Sequence, residues 1–276
     1  MGICRLCGKD AGIMRKEHKE CRKKHDAAIQ SLPEYMAEHL FSTDISTVVN
    51  RVNEQAGVAY VQELELHEVY VRGWERSVEQ AFEDGILSQD EEDKLKDLAN
   101  RLSLNQDELD RKGWFHRLIH GAVLRDLMEG KIPDRLIIDF SLPFNFMKSE
   151  ELIWLFQNVP YYESVTRTRY AGGTQGVSLK LMKGVYYRTG GFRGERIQEQ
   201  ETRHVDTGLF AVTTKHVYFA GDYKSFRIKY NKIVSFQPFY DGIGIQRDAA
   251  SAKPQIFHTG DGWFTYNLLM NVQNLG

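Results

Sequence analysis

The last quarter of the chain, Thr207 to Gly276, constrains the fold most. It reads as short runs rich in β-branched and aromatic residues: Thr207–Lys215, His216–Gly221, Lys224–Ile228 and Ile233–Phe236, each closed by a Gly-, Asp- or Lys-bearing turn. Such runs make an antiparallel meander. Asp241-Gly242 sits between two more runs and is a strong short hairpin signal. The apolar residues of Gly262-Trp263-Phe264-Thr265-Tyr266-Asn267-Leu268-Leu269 suit one face of a closing helix. The expected tail is a strongly bent sheet plugged by a C-terminal helix.

A chain of 276 residues implies two or three compact units. With 42% apolar and 27% charged residues, the composition is that of an ordinary globular protein. The net charge of -2 names no partner by itself. No apolar run approaches the roughly 18 residues of a membrane span, and Met1-Gly2-Ile3-Cys4 lacks signal-peptide anatomy. The expected location is cytosolic, with peripheral membrane association as an extension of it.

All three cysteines fall within the first 21 residues. A clustered, odd set points to a reducing compartment and a metal rather than disulfides. Cys4-Arg5-Leu6-Cys7-Gly8 is a C-x-x-C-G knuckle, in which Gly8 permits the tight turn that aims amides at the sulfurs. His18, Cys21 and His25 follow at helical spacing. Cys4, Cys7, His18 and Cys21 make a Cys3His set, with His25 as the alternative fourth ligand. His18 is preferred because H-x-x-C after C-x-x-C is a common treble-clef-like or LIM-like spacing. Four protein ligands would fill the shell of zinc, so the expected cofactor is structural zinc. Around it stand Arg5, Lys9, Arg15, Lys16, Lys19, Arg22, Lys23 and Lys24. They read as a solvated face or as a patch for nucleic acid or anionic membrane.

From Asp26 to about Gly130 the pattern is helical, with Pro33 marking an early break or a helix start. Val58 to Asp84 reads as one long amphipathic segment carrying Val61, Leu64, Leu66, Val69, Val71, Trp74, Val78 and Phe82. Ser88-Gln89-Asp90-Glu91 and Asn105-Gln106-Asp107-Glu108 read as capping boxes that open two further helices. Aligning Gly85 with the invariant glycine of an EF-hand loop puts Gln80 and Phe82 where calcium needs oxygen ligands. The turn shape is therefore expected without tight calcium binding. His116 and His120 are four apart, but Arg117 stands where H-E-x-x-H needs its base.

Lys131-Ile132-Pro133-Asp134 marks the boundary to the β-rich end. Glu150 to Gln157 reads as a strand entering the barrel or as a docking helix. Val177, Leu179, Leu181, Val185 and Tyr187 alternate as a half-buried strand, and Thr189–Gly194 reads as its turn. The fold class expected is α+β and multidomain. Residues 1–25 form a zinc knuckle, 26–132 a helical domain, and 133–276 a split β-barrel capped by a helix.

The tail phrases Thr213-Thr214-Lys215, Val217-Tyr218-Phe219-Ala220-Gly221, Lys224-Ser225-Phe226-Arg227-Ile228 and Lys232-Ile233-Val234-Ser235-Phe236 resemble bacterial pleckstrin-homology-like and GRAM-like domains. The resemblance covers roughly the last hundred residues. It implies a small split barrel without catalysis that binds lipid head groups or protein segments. In such domains the first hairpin loops often hold anionic head groups through Lys and Arg. Lys180, Lys183, Arg188, Arg193 and Arg196 stand there by strand order, with Phe192 at the loop tip. The stretch Asp84-Gly85-Ile86-Leu87-Ser88, its acidic run and Leu102-Ser103-Leu104-Asn105 resemble the helical tellurite-resistance-B-like (TerB-like) modules. Those imply a bacterial stress or phage-defence setting.

The sequence shows no ordered Ser-His-Asp set, no Gly-rich phosphate loop before a helix and no framed pair of carboxylates. The expected function is a non-enzymatic adaptor or sensor whose tail recognises anionic lipid or a protein partner. The alternatives are a nucleic-acid binder using the basic zinc head, and a structural assembly subunit.

Overall fold

The computed structural model describes residues 2–12, 15–171, 195–249 and 252–275. It is mixed α+β, and the chain divides into two compact units, Met1–Arg135 and Leu136–Gly276.

The first unit begins with a small hairpin, β1 (Gly2–Ile3) against β2 (Asp10–Gly12). Six helices follow: α1 (Lys19–Leu40), α2 (Ile45–Val58), α3 (Glu63–Ala81), α4 (Gln89–Arg101), α5 (Gln106–Leu109) and α6 (Trp114–Met128). Residue 25 lies inside α1, so the cysteine-bearing head and the helical body share one helix. Pro33 does not break α1, contrary to the expected interruption. An interior proline costs about 3 kcal/mol. Leu32, Met36 and Leu40 on the same helix are buried, and each contributes about 1.5–3 kcal/mol, which outweighs the lost backbone bond. Met36 fits against α3 because Gly73 has no side chain; a Cβ there would lie 2.4 Å from the Met36 sulfur.

The segment expected to run unbroken from Val58 is divided. Tyr60 adopts φ 61°, and α3 starts at Glu63 behind a capping box formed by Gln62 and Glu65. Val69, Val71, Trp74 and Val78 are buried as their spacing requires, whereas Leu64, in the first turn, is 87% exposed. Both downstream capping boxes form. The Glu91 carboxylate accepts the Ser88 N–H at 2.9 Å, so the acid that an EF-hand loop would place last is tied to a helix start.

One turn beyond that cap, Glu92 is fully buried. Its carboxylate accepts Arg125 Nη2 and Arg135 Nη1, each at 2.6 Å, and a bond from Lys96. Arg135 Nε also reaches Asp126 at 2.7 Å. Burial alone would raise the Glu92 pKa, but Arg135, Lys96 and Arg125 outweigh it and hold it down to about 2.

The second unit is a curled, seven-stranded antiparallel sheet, a half-barrel. Its strands are β3 (Leu152–Ala171), β4 (Glu195–Thr213), β5 (His216–Gly221), β6 (Ser225–Lys229), β7 (Ile233–Phe239), β8 (Gly242–Arg247) and β9 (Gln255–Phe257). They lie in the order β6-β5-β4-β3-β9-β8-β7. The 20-residue β3 joins the two halves, pairing with β4 on one side and β9 on the other. Three register irregularities bend the β3–β4 ladder, and Asn158 lies beside one of them with φ 52°. Phe257 is central to the core, with ring centroids 4.6 Å from Phe210 and 5.0 Å from Tyr161. The helix α7 (Gly262–Val272), capped by Asp261, packs on β7 and β8 and buries Phe264, Leu268, Leu269 and Val272. Its first residue must be glycine, because a Cβ would fall 1.7 Å from the Phe239 carbonyl oxygen. The Glu150–Gln157 stretch thus enters the sheet as β3 and forms no helix.

Just before β3, Glu150 is a second buried carboxylate. It accepts His216 Nδ1–H at 2.8 Å, the Tyr218 hydroxyl at 2.8 Å, the Met147 N–H at 2.9 Å and the Thr213 hydroxyl. Burial opposes its charge, and these donors outweigh burial and hold its pKa down to about 2.

Glu92 and Glu150 both have folded pKa values below the usual 4.5. Their stabilisation is therefore complete above pH 4.5 and is lost as the pH falls towards 2. We predict that denaturation midpoints fall most steeply over that interval. Glu150→Ala, which strands His216 and Tyr218, should cost about 3–5 kcal/mol at neutral pH. A midpoint flat from pH 5 to pH 2 would contradict both buried networks.

Candidate metal centre

The hairpin and the start of α1 bring the sequence-predicted ligands together. Gly8 takes φ 71°, the left-handed turn that lets the Gly8 N–H return to the Cys4 carbonyl at 2.9 Å. The Cys4 N–H bonds the Lys9 carbonyl at 2.8 Å and the Arg5 N–H bonds the Lys16 carbonyl at 3.0 Å, which closes the knuckle. His18 is the N-cap of α1, and Cys21 sits in its first turn. One ligand atom from each of Cys4, Cys7, His18 and Cys21 lies within 4.8 Å of the others.

His18 Nδ1 faces the sulfurs, 3.4 Å from Cys7 Sγ and 3.6 Å from Cys21 Sγ. Its Nε2–H donates to the Asp10 carbonyl at 2.9 Å. That bond selects the tautomer whose Nδ1 lone pair is free for a metal. The alternative ligand, His25, is not in the group; its Nε2 bonds Glu65 at 2.9 Å and its Nδ1 lies 3.4 Å from Asp26. Burial pulls the His25 pKa down, while Glu65 and Asp26 raise it by more.

The thiols respond to their surroundings in opposite directions. The Cys7 amide, helped by those of His18 and Leu6, holds Cys4 down to about 6. Burial, with the neighbouring Cys7 and Cys4, pushes Cys21 up to about 11. Several thiolates this close repel one another, so all three ionise together only with a cation between them. Three soft sulfurs and one imidazole around one point fit a tetrahedral divalent ion held by protein alone. Four ligands leave no position for a reactive water.

Of the ligand-loop residues proposed from sequence, Lys180, Lys183, Arg188, Phe192 and Arg193 lie outside the described residues, as do the Val177–Tyr187 strand and the Thr189–Gly194 turn. Arg196 lies in β4, opposite Tyr170 of β3. Two further features escape sequence reading. The Asp10 carbonyl that orients His18 is a backbone atom, invisible in residue types. The Glu150–His216 pair has the composition of an acid–base dyad, but its members are 66 positions apart. Glu150 shows 0% of its side chain to solvent and His216 only 2%. The pair, with the Thr213 hydroxyl on the same carboxylate, therefore locks β5 and β4 onto the segment before β3.

The chain matches no family model, and no curated protein matches it.

Full-length protein purified without added metal is expected to carry about one equivalent of a divalent, thiolate-held ion. Cys7→Ser or Cys21→Ser should lose it, and His25→Ala should retain it. Elemental analysis checks this; metal-free wild-type protein would contradict the assignment.

Proposed function

We propose that this chain is a non-catalytic adaptor, with a head stapled by structural zinc and a half-barrel that holds an anionic membrane surface or a protein segment. The observation that carries the reading is the closed ligand set of Cys4, Cys7, His18 and Cys21. A catalytic zinc keeps one position for water or substrate, and a set of four protein ligands does not. The buried carboxylates support the same reading, because Glu92 and Glu150 are engaged by the helices and strands around them. A curled sheet closed by a C-terminal helix also agrees with the pleckstrin-homology-like resemblance of the tail, which implies recognition of a surface.

Among the described residues no helix is long and apolar enough to cross a membrane. The membrane arm of the proposal is thus surface attachment through Lys180, Lys183, Arg188, Arg193 and Arg196, with Phe192 entering the interface. The TerB-like resemblance of the helical middle supports a bacterial stress or phage-defence setting as part of this proposal.

A second reading rests on the head. Arg5, Lys9, Arg15, Lys16, Lys19, Arg22, Lys23 and Lys24 are all exposed around the metal group. Arg22 is paired with Glu17 and Asp26, while Lys23 and Lys24 remain available to phosphates. Nucleic acid is the alternative partner of this face.

Flotation of the full chain with phosphatidylserine-containing vesicles tests the membrane arm. We expect binding that falls with salt and weakens when Arg188, Arg193 and Arg196 are replaced by Ala. Binding indifferent to all three would reject the loop. Retention on DNA or RNA that loses about one unit of salt slope for each of Lys23→Glu and Lys24→Glu would favour the second reading.

A further inference from the structure

The half-barrel carries an aromatic groove that neither the metal head nor the basic loop explains. It lies where the end of β7 meets the start of α7 and is lined by Pro238, Phe239, Tyr240, Trp263 and Tyr266, with a volume of about 560 Å³. Tyr240 is 99% exposed and Trp263 58%. Exposing two such rings on the lining of one groove is costly in water and marks an interaction site more often than chance. The surrounding backbone is free of charge: Ile233–Tyr240 and Gly262–Gly276 contain no Asp, Glu, Lys or Arg. Among the described residues that line the groove, the one ionised side chain is acidic. Asp261 lines the groove, and Asp241, at the hairpin turn, keeps half of its side chain exposed while paired with His258 at 2.8 Å.

We propose that this groove docks an extended, proline-rich protein segment with a basic flank. The inference rests on the adaptor reading and names the chemistry of its protein partner. A polyproline segment offers pyrrolidine rings that stack on flat aromatic surfaces, and a row of carbonyl acceptors with few N–H donors. The groove supplies the complement. Trp263 Nε1–H and the Tyr240 and Tyr266 hydroxyls are donors that bond no protein group among the described residues. The segment is already extended in solution, so an open groove can hold it at low entropic cost. The half-exposed Asp241 selects Lys or Arg beside the prolines, and Asp261, engaged as the cap of α7, adds to the negative potential there.

The competing occupants fit less well. The rim carboxylates repel an anionic membrane. Pro238 removes one amide donor from β7, the last strand of the sheet, which makes it a poor template for an added strand. A second copy of the chain would bring one uncharged aromatic ridge against another and leave Asp241 without a cation from that ridge.

The test is fluorescence anisotropy of a labelled oligoproline peptide of about ten residues, roughly three turns of polyproline helix, tipped with two arginines and titrated with the full chain. We expect saturable binding that Trp263→Ala and Tyr240→Ala each weaken at least about tenfold. Both side chains are exposed, so thermal melts of these variants should match wild type. Asp241→Asn should weaken the arginine-tipped peptide and leave an arginine-free peptide unchanged. Absence of saturable binding overturns the proposal, as does binding indifferent to Trp263→Ala. Transfer of the Trp263→Ala defect to vesicle flotation assigns the face to membrane. Transfer to concentration-dependent self-association in sedimentation assigns it to a second copy. Either transfer also overturns the proposal. If the peptide fails while flotation persists, the adaptor reading stands without this partner; if both fail, the adaptor reading falls too.

Discussion

A carboxylate withdrawn from water must be matched by donors, and each unit of this protein is tied together around one that is. In the first unit Glu92 gathers Lys96, Arg125 and Arg135, so the chain beyond α6 is pinned to α4. In the second, Glu150 gathers Met147, Thr213, His216 and Tyr218, so the segment before β3 is pinned to β4 and β5. Removing either acid strands buried partners, and that loss exceeds what the intact network contributes over an apolar substitute. Such groups therefore act chiefly by specifying one arrangement of helices or strands.

The same constraint sorts the residues with chemical potential. Glu92 and Glu150, the most deeply buried carboxylates described above, are bonded by donors of their own unit. Two features of the described residues stand apart from these networks. The Cys3His set at the head has four ligand atoms that converge within 4.8 Å of one another. The aromatic groove of the half-barrel has exposed rings and unused donors. One suits a metal that holds a fold together, and the other suits a partner held on a surface.

How much of this was legible depended on whether the determining contacts are local. C-x-x-C followed by H-x-x-C declares its chemistry through spacing, and the four residues lie together. The capping boxes at Ser88 and Asn105 span three residues and form as read. The tail runs are rich in β-branched and aromatic residues and bounded by turns, and β5 to β8 form where those runs stand. Pro33 misled because the buried face of α1 outweighs a local preference. At the break it is Tyr60, not the nearby Gly57, that takes the positive φ, so residue type does not mark the turn. Glu150 meets His216 across 66 positions, and Tyr240 and Trp263 come to line one groove only once β7, β8 and α7 are in place. No window along the chain contains those pairs.

We propose that the metal group is a closed structural staple in a protein that acts by holding a partner. X-ray absorption at the metal edge of the purified full chain tests it most directly. The account predicts a shell of three sulfurs near about 2.3 Å and one imidazole nitrogen near about 2.0–2.1 Å. A shell containing a water-derived oxygen, or fewer than three sulfurs, would contradict it.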